Sequence, residues 1–498
     1  MILIFFLLCF KLSLIFFAFL LIYILITQLI YLKLKLYHNS VNKSRNIKTI
    51  SFVHPFCSDC GGGEKVLWRM IKSLINYYDT SKSNREQNLP KLKINIISGR
   101  KDDKQILFDK LKSRFGIQLN DQKNILMNKL VLEIELISME SGYMLRPRNF
   151  LTMLLQILGQ FYFAIEIITK VYSDVYCDTT GLPFTYFILR YLGHAKVTTY
   201  THYPFISKDM IYQIQNNKPG VHSRGNLSKN HYIRKIKLYY YKFILQLYKI
   251  MGNKCVSFAY VNSTWTFNHM KEIWDELYKS KKLFILYPPC SISLYKEAAK
   301  NNNRQNIIVS FAQFRPEKNQ AMQIRILSNL KKKIGVYPEL EDLELHLIGG
   351  VRNSDDQKIF DDLNNYARQL GVQQYVKFLK NGTTEQITEE FSKAKIGIHT
   401  MIDEHFGITL IEMMAAGLIV VTHNSAGAKN DILVSEGDMK PGFLVNNENE
   451  YVGQIEEILI RYNEIKSQIL NSSKQRAEKF SDEAFKEQFL NRLREFLI

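Results

Sequence analysis

GIHTMIDEHFGITLIEMMAAGLIVVTHNSAGAKND, running from Gly397 to Asp431, is the stretch whose reading decides the fold. The apolar run from Ile396 to Thr400 predicts a buried strand. Phe406-Gly407-Ile408-Thr409 forms a turn that opens a helix reaching Ala416. Gly417 stops that helix, and Leu418 to Val421 predicts the next strand. Strand, loop, helix and strand in this order make a parallel α/β unit. Two carboxylates sit in it at E-x7-E spacing. Glu404 lies in the loop at the strand's carboxyl end, and Glu412 lies inside the helix. In open α/β sheets that end of the strands is where ligands bind.

The chemistry of this turn suits a nucleotide-sugar. The first N–H groups of a helix have no partner within it, so Gly407 to Thr409 present donors and a positive dipole end to a diphosphate. Glu412, near that end, can accept from both hydroxyls of a ribose. Glu404, across the turn, can hold sugar hydroxyls.

Working outward, the chain has 498 residues, enough for two or three domains with cores of their own. Its 66 basic and 47 acidic residues leave a net charge of +19. That excess fits nucleic acid, an acidic membrane surface or phosphorylated substrates, and equally a general Lys-rich bias. No basic block with interleaved aromatics matches a nucleic-acid module, so no nucleic-acid partner is expected. Six cysteines are scattered through the chain. Cys57 and Cys60 form one C-x-x-C, but no second pair completes a zinc site, and no disulfide framework is implied.

Met1 to Leu32 is nearly all apolar, with one charge, Lys11, and is long enough to span a bilayer as an N-terminal anchor (1–32). It has no basic start or small-residue cleavage site. Lys33, Lys35, Lys43, Arg45 and Lys48 follow it, which predicts a cytosolic position for the rest of the chain.

Lys48 to His54 is the expected first strand of a Rossmann-like N-terminal domain (46–295). HPFCSDCGGGEKVLW follows, with Gly61, Gly62 and Gly63 ahead of a helix beginning near Glu64. Glycines there allow close backbone approach to a ligand. The spacing is neither a P-loop nor G-x-G-x-x-G. Phe150 to Ile168 is apolar but interrupted by Gln156, Gln160 and Glu166, so a buried or interface-lying helix is expected. Val197 to Tyr200 predicts a strand that delivers His202 to the central crevice. Gln213 to Lys235 reads as an exposed insertion. Lys235 to Ile250 alternates lysines with apolar residues, which fits either an anionic lipid surface or an amphipathic core helix.

Asn301 to Gln305 is a polar linker to a second Rossmann-like domain (304–480). Ile307 to Phe311 is its first strand, and AQFRPEKN places Arg315 and Lys318 just beyond it, ahead of a helix at Gln320 to Lys331. Two cations at a strand's carboxyl end can neutralise a diphosphate leaving group. The chain contains no D-x-D, so neither metal nor cofactor is expected.

HPFC…GGGEKVLW, FAQFRPEKN and HTMIDEHFGITLIEMMAAG together resemble glycosyltransferase family 4, from about Ser51 to the C-terminal helices. The resemblance implies the GT-B fold, two Rossmann-like domains facing a cleft, with a last helix (481–498) that can cross back to the first domain. It implies a retaining transfer in which His202 and Glu404 contact the sugar and Lys318 acts on the diphosphate. The Gly61–Gly63 loop would face the donor diphosphate and the acceptor. The family arginine falls at Gln313 here, so Arg315 is a displaced cation. Within the family, the wording is closest to α-1,2-mannosyltransferases that extend dolichol-pyrophosphate oligosaccharides. That implies GDP-mannose as donor and an endoplasmic reticulum membrane, with other mannosyltransferases as neighbours. Such enzymes are expected to press the 150–168 helix on the membrane. A transferase with another donor or acceptor, such as GlcNAc onto phosphatidylinositol, and an inactive GT-B scaffold are the alternatives.

Overall fold

A computed structural model describes residues 22, 25–36, 47–59, 61–83, 91–119, 131–146, 152–216, 231–435, 437 and 440–497. Residues 1–21, most of the expected anchor, lie outside this set, as do Cys60 and residues 217–230 of the expected insertion.

Among the described residues the first lobe is built on a seven-stranded sheet. Its strands are β1 (Ile47–Val53), β2 (Lys91–Ser98), β3 (Val131–Ser138), β4 (Val175–Asp178), β5 (Lys196–Thr201), β6 (Phe258–Val261) and β7 (Leu283–Ile285), in the order β3-β2-β1-β4-β5-β6-β7. The second lobe has six: β8 (Gln305–Phe311), β9 (Glu344–Gly349), β10 (Val376–Lys380), β11 (Ala394–His399), β12 (Ile419–His423) and β13 (Phe443–Val445), in the order β10-β9-β8-β11-β12-β13. The neighbours pair in parallel in both sheets, for example Ile50 beside Val175 and Ile396 beside Ile308. Parallel strands carry helices on both faces, which is why these segments read as unbroken apolar runs. Each strand order reverses once, between β1 and β4 and between β8 and β11. Loops leave these two points in opposite directions, so each opens a crevice at its carboxyl end.

Two cores flank each sheet. The Gly62–Ser83 helix buries Val66, Trp68, Ile71 and Leu74 on one face of the first sheet. The opposite face is covered by the helices Thr152–Lys170 and His231–Cys255. Thr152–Lys170 is the one helix among the described residues long and apolar enough to cross a membrane. Seven of its residues, including Phe163, Ile167 and Ile168, are buried in the lobe, so it is a core helix with an exposed outer stripe. The helix at 25–36 docks on the same lobe, where the Tyr31 hydroxyl donates to the Gly193 carbonyl.

Two boundaries differ from the sequence reading. Ile292, Tyr295 and Ala298 pack against Phe391 and Met413, so the chain enters the second lobe's core well before residue 304. Their apolar spacing signals a buried helix without saying which lobe buries it. The inserted segment is also shorter than Gln213 to Lys235, because the helices Lys208–Gln215 and His231–Cys255 take both of its ends. The last helix, Asp482–Leu497, crosses back. Phe485, Phe489, Leu490 and Leu493 are buried in the first lobe's core, and Asp482 pairs with Arg69 at 2.8 Å.

Candidate active site

The opening stretch folds around one tight turn after β11. Asp403 takes positive φ, 57°, as Asp tolerates locally, and Gly407 follows at 106°, a value that glycine adopts at little cost and side-chain-bearing residues do not. Gly427 holds the turn from below by donating to the Glu404 carbonyl at 3.0 Å. A Cβ there would sit 2.5 Å from the Phe406 Cα, so only glycine permits this approach.

The turn delivers Glu404 to the switch point of the second lobe. Its Oε2 lies 2.5 Å from the Lys318 Nζ and 2.9 Å from the His399 Nε2. Lys318 comes from the loop after β8, which Thr400 pins by donating to the Lys318 carbonyl at 2.9 Å. Burial alone would raise the Glu404 pKa. Lys318 and His399 reverse that and hold the carboxyl well below its ordinary value, so it is ionised at neutral pH.

Glu412 lies in the Ile408–Ala415 helix and is buried. Its Oε1 accepts from the Lys65 Nζ of the first lobe at 2.8 Å, with both side chains 7 % exposed. The lobes touch again where a Cβ at Gly62 would meet the Ile408 side chain at 3.5 Å. The glycine loop thus stands against the start of the second lobe's helix. Tyr203, Trp265 and His405 stack nearly parallel across the same boundary, with Tyr203 and His405 4.4 Å apart. Asp431 of the second lobe accepts from the Thr264 N–H at 3.1 Å, which caps a first-lobe helix from across the cleft.

On the first-lobe side, His202 directly follows β5 beside the glycine loop. Among the described residues its Nε2 is buried without a hydrogen-bond partner, and a Cβ at Gly63 would lie 3.4 Å from it. His54, at the end of β1, bonds the Thr179 hydroxyl at 2.8 Å and approaches Glu64 at 3.3 Å. Glu64 in turn accepts from the Gly61 N–H at 2.7 Å and so fixes the loop.

Burial, with the nearby His54 ring adding to it, pushes the His202 pKa from 6.5 to about 4. The unfolded chain therefore binds a proton at His202 below about 6.5, and the folded chain does so only near 4. Stability should fall as pH drops through this window, by up to about 3 kcal/mol from this one group. In His202→Gln, which does not titrate, the melting temperature should decline less steeply between pH 7 and pH 4. Equal slopes in the two proteins would refute the assignment.

The structure brings Lys318 to Glu404, His202 to Gly63, and Gly62 to Ile408. Arg315, three residues before Lys318, lies 3.7 Å from Glu317 and 4.0 Å from Asp356 on its own lobe. The Phe406 ring is buried against Tyr287 and Phe480, so only its backbone faces the turn. Lys65, His399 and the His54–Glu64 pair are absent from the sequence-level site. His399 is the last residue of β11, and His202 is the first after β5; a position at a strand's carboxyl end was the available signal. Lys65 lies inside the quoted GGGEK and carries no signal of its own, because its partner is 347 residues away.

Two family models match the chain: "ALG11 mannosyltransferase N-terminus" over residues 47–274 and "Glycosyl transferases group 1" over residues 292–476. A Homo sapiens GDP-Man:Man(3)GlcNAc(2)-PP-Dol alpha-1,2-mannosyltransferase is 34% identical over 469 residues, covering 92% of this chain and 89% of its own. The Dictyostelium discoideum protein of that name is 35% identical over 447 residues, covering 89% and 83%. Among solved structures, a Thermosynechococcus elongatus sucrose-phosphate synthase aligns with TM-score 0.62 at 13% identity, covering 90% of this chain and 99% of its own. Anabaena Alr3699/HepE in complex with UDP and glucose aligns with TM-score 0.57 at 16% identity, covering 89% and 98%. These structures share the two-lobed fold. With its two parallel sheets, its facing crevices and relatives of this identity over nearly its whole length, the chain belongs to the GDP-Man:Man(3)GlcNAc(2)-PP-Dol alpha-1,2-mannosyltransferase family of GT-B glycosyltransferases.

Proposed function

We propose that the chain moves mannose from GDP-mannose, in α-1,2 linkage and with retention, onto dolichol-pyrophosphate-linked Man3GlcNAc2, adding the fourth and fifth mannoses. The observation that carries this reading is the meeting of Lys318 and Glu404 at one switch point, with the His202 and Gly61–Gly63 elements closing on the same cleft. Glu404 holds hydroxyls of the transferred mannose. Glu412 holds the donor ribose once it exchanges Lys65 for that ligand. Lys318 and the helix start at Gly407 to Thr409 face the leaving diphosphate, so the charge that meets it belongs to the protein and no metal is assigned. His202, neutral at physiological pH, orients the sugar beside the glycine loop. Arg315, three residues before Lys318, is a further cation for the leaving diphosphate. The reaction belongs on the cytosolic face of the endoplasmic reticulum membrane, with the N-terminal segment as a single-pass anchor. Other mannosyltransferases of the same assembly are its expected neighbours.

Membranes carrying the protein, given GDP-mannose and lipid-linked Man3GlcNAc2, should yield a product two mannoses longer that α-1,2-mannosidase trims back. Transfer from UDP-GlcNAc in place of GDP-mannose would overturn the reading.

A further inference from the structure

The helices Lys208–Gln215 and His231–Cys255 pack side by side on the first lobe. Between them runs a groove of about 680 Å³, a volume within the ~300–1,000 Å³ range of ligand pockets. Ile211, Tyr212, Tyr239 and Phe243 line it, and Lys208 and Lys242 stand on its rim. Tyr212 is 56% exposed, and Tyr239 and Phe243 are 62% exposed. Aromatic surface held open in this way marks a binding face.

Three observations select the occupant. The first is position. The Lys208–Gln215 helix begins at its cap Ser207, five residues past His202, so the groove leads away from the first-lobe side of the cleft. The Tyr203 hydroxyl bonds Ser207 at 3.2 Å and ties the helix start to the aromatic stack at that cleft. The second is chemistry. The floor is apolar and the rim is cationic; Lys208 shares its charge with Glu272 at 2.7 Å. A hydrocarbon chain ending in a phosphorylated head matches both. The third is continuity. The 25–36 helix, which exposes Leu25, Leu29, Leu32 and Leu36, docks on this same lobe through Tyr31. The apolar N-terminal segment therefore reaches the molecule on the lobe that carries the groove.

We infer that this groove holds the first isoprene units of the acceptor's polyisoprenoid chain, with its pyrophosphate at the lysine rim. This rests on the function proposed above and adds the lipid subsite to it. The oligosaccharide between the pyrophosphate and the reacting mannose spans from the groove to the cleft. The enzyme thus reads the lipid as well as the sugar.

The test uses the full chain in detergent and two Man3GlcNAc2-pyrophosphate acceptors, one on a long polyprenyl chain and one on a short saturated alkyl chain. Phe243→Ser and Tyr212→Ser change exposed side chains and should leave the melting temperature unaltered. Each should raise KM for the polyprenyl acceptor about tenfold, as expected for lost apolar contact. KM for GDP-mannose should stay at its wild-type value, and KM for the short alkyl acceptor, which buries less apolar surface, should rise less than that for the polyprenyl acceptor. Equal effects on both acceptors, or none on either, would overturn the subsite. A benzophenone-tagged farnesyl pyrophosphate provides a readout independent of turnover. It should label peptides 208–215 and 239–246, and unlabelled polyprenyl pyrophosphate should compete. If wild type transfers no mannose, the proposed function fails, and this labelling alone decides the groove. Labelling elsewhere, or equal labelling by a benzophenone-tagged phosphatidylcholine, would assign the face to bulk bilayer and overturn the inference.

Discussion

Lys318→Ala should lower kcat for mannose transfer by about 10²–10³-fold, the usual cost of removing one fixed donor from a site of developing negative charge. The Lys318 ammonium is held, not free: its carbonyl is pinned by Thr400 and its Nζ sits on Glu404. Such a group needs no reorganisation when the bond to the diphosphate breaks. It therefore acts more strongly on the transition state than on the bound donor, and the loss should fall on kcat more than on KM. Lys318→Arg keeps the charge but not the compact head, and should recover part of the rate. Glu404 retains His399 as a partner in either variant, so the fold should survive, and circular dichroism with a thermal melt checks this. Turnover of Lys318→Ala within about threefold of wild type would remove Lys318 from the mechanism.

The second large effect concerns the Lys65–Glu412 pair. Both side chains are 7 % exposed, so deleting either one strands a buried charge. Lys65→Met and Glu412→Gln should each cost about 3–5 kcal/mol of stability, and the double variant should recover much of it. The double variant also separates two roles for Glu412. A carboxylate that grips both ribose hydroxyls contributes two charge-assisted bonds. Their loss should raise KM for GDP-mannose about a hundredfold even where stability has returned. If the double variant restores both the melting temperature and the donor KM, Glu412 is only a strut between the lobes.

Much of this architecture was legible from local pattern. Parallel strands buried on both faces must be apolar along their length, so Ile396 to Thr400 marked β11 to within two residues, and the helix Gln320–Lys331 was placed at its observed bounds. Glu404 and Lys318 were legible for a similar reason, since the carboxyl end of a strand is a place that sequence can mark. What did not show was pairing across the cleft. Lys65 and Glu412 meet because two lobes close, and no window of sequence contains both. The same holds for Cys290 to Ala298, whose apolar residues are satisfied equally well by either core until the lobes are in place.

The returning helix Asp482–Leu497 has a consequence for how the molecule is made. Its Phe485, Phe489, Leu490 and Leu493 fill a space beside Trp68 and Tyr260 that was laid down hundreds of residues earlier in synthesis. A nascent chain emerging from the ribosome can complete the second sheet while the first still lacks its final wedge. The half translated first therefore matures last. Until that helix is made, the first lobe exposes apolar surface that chaperones can bind.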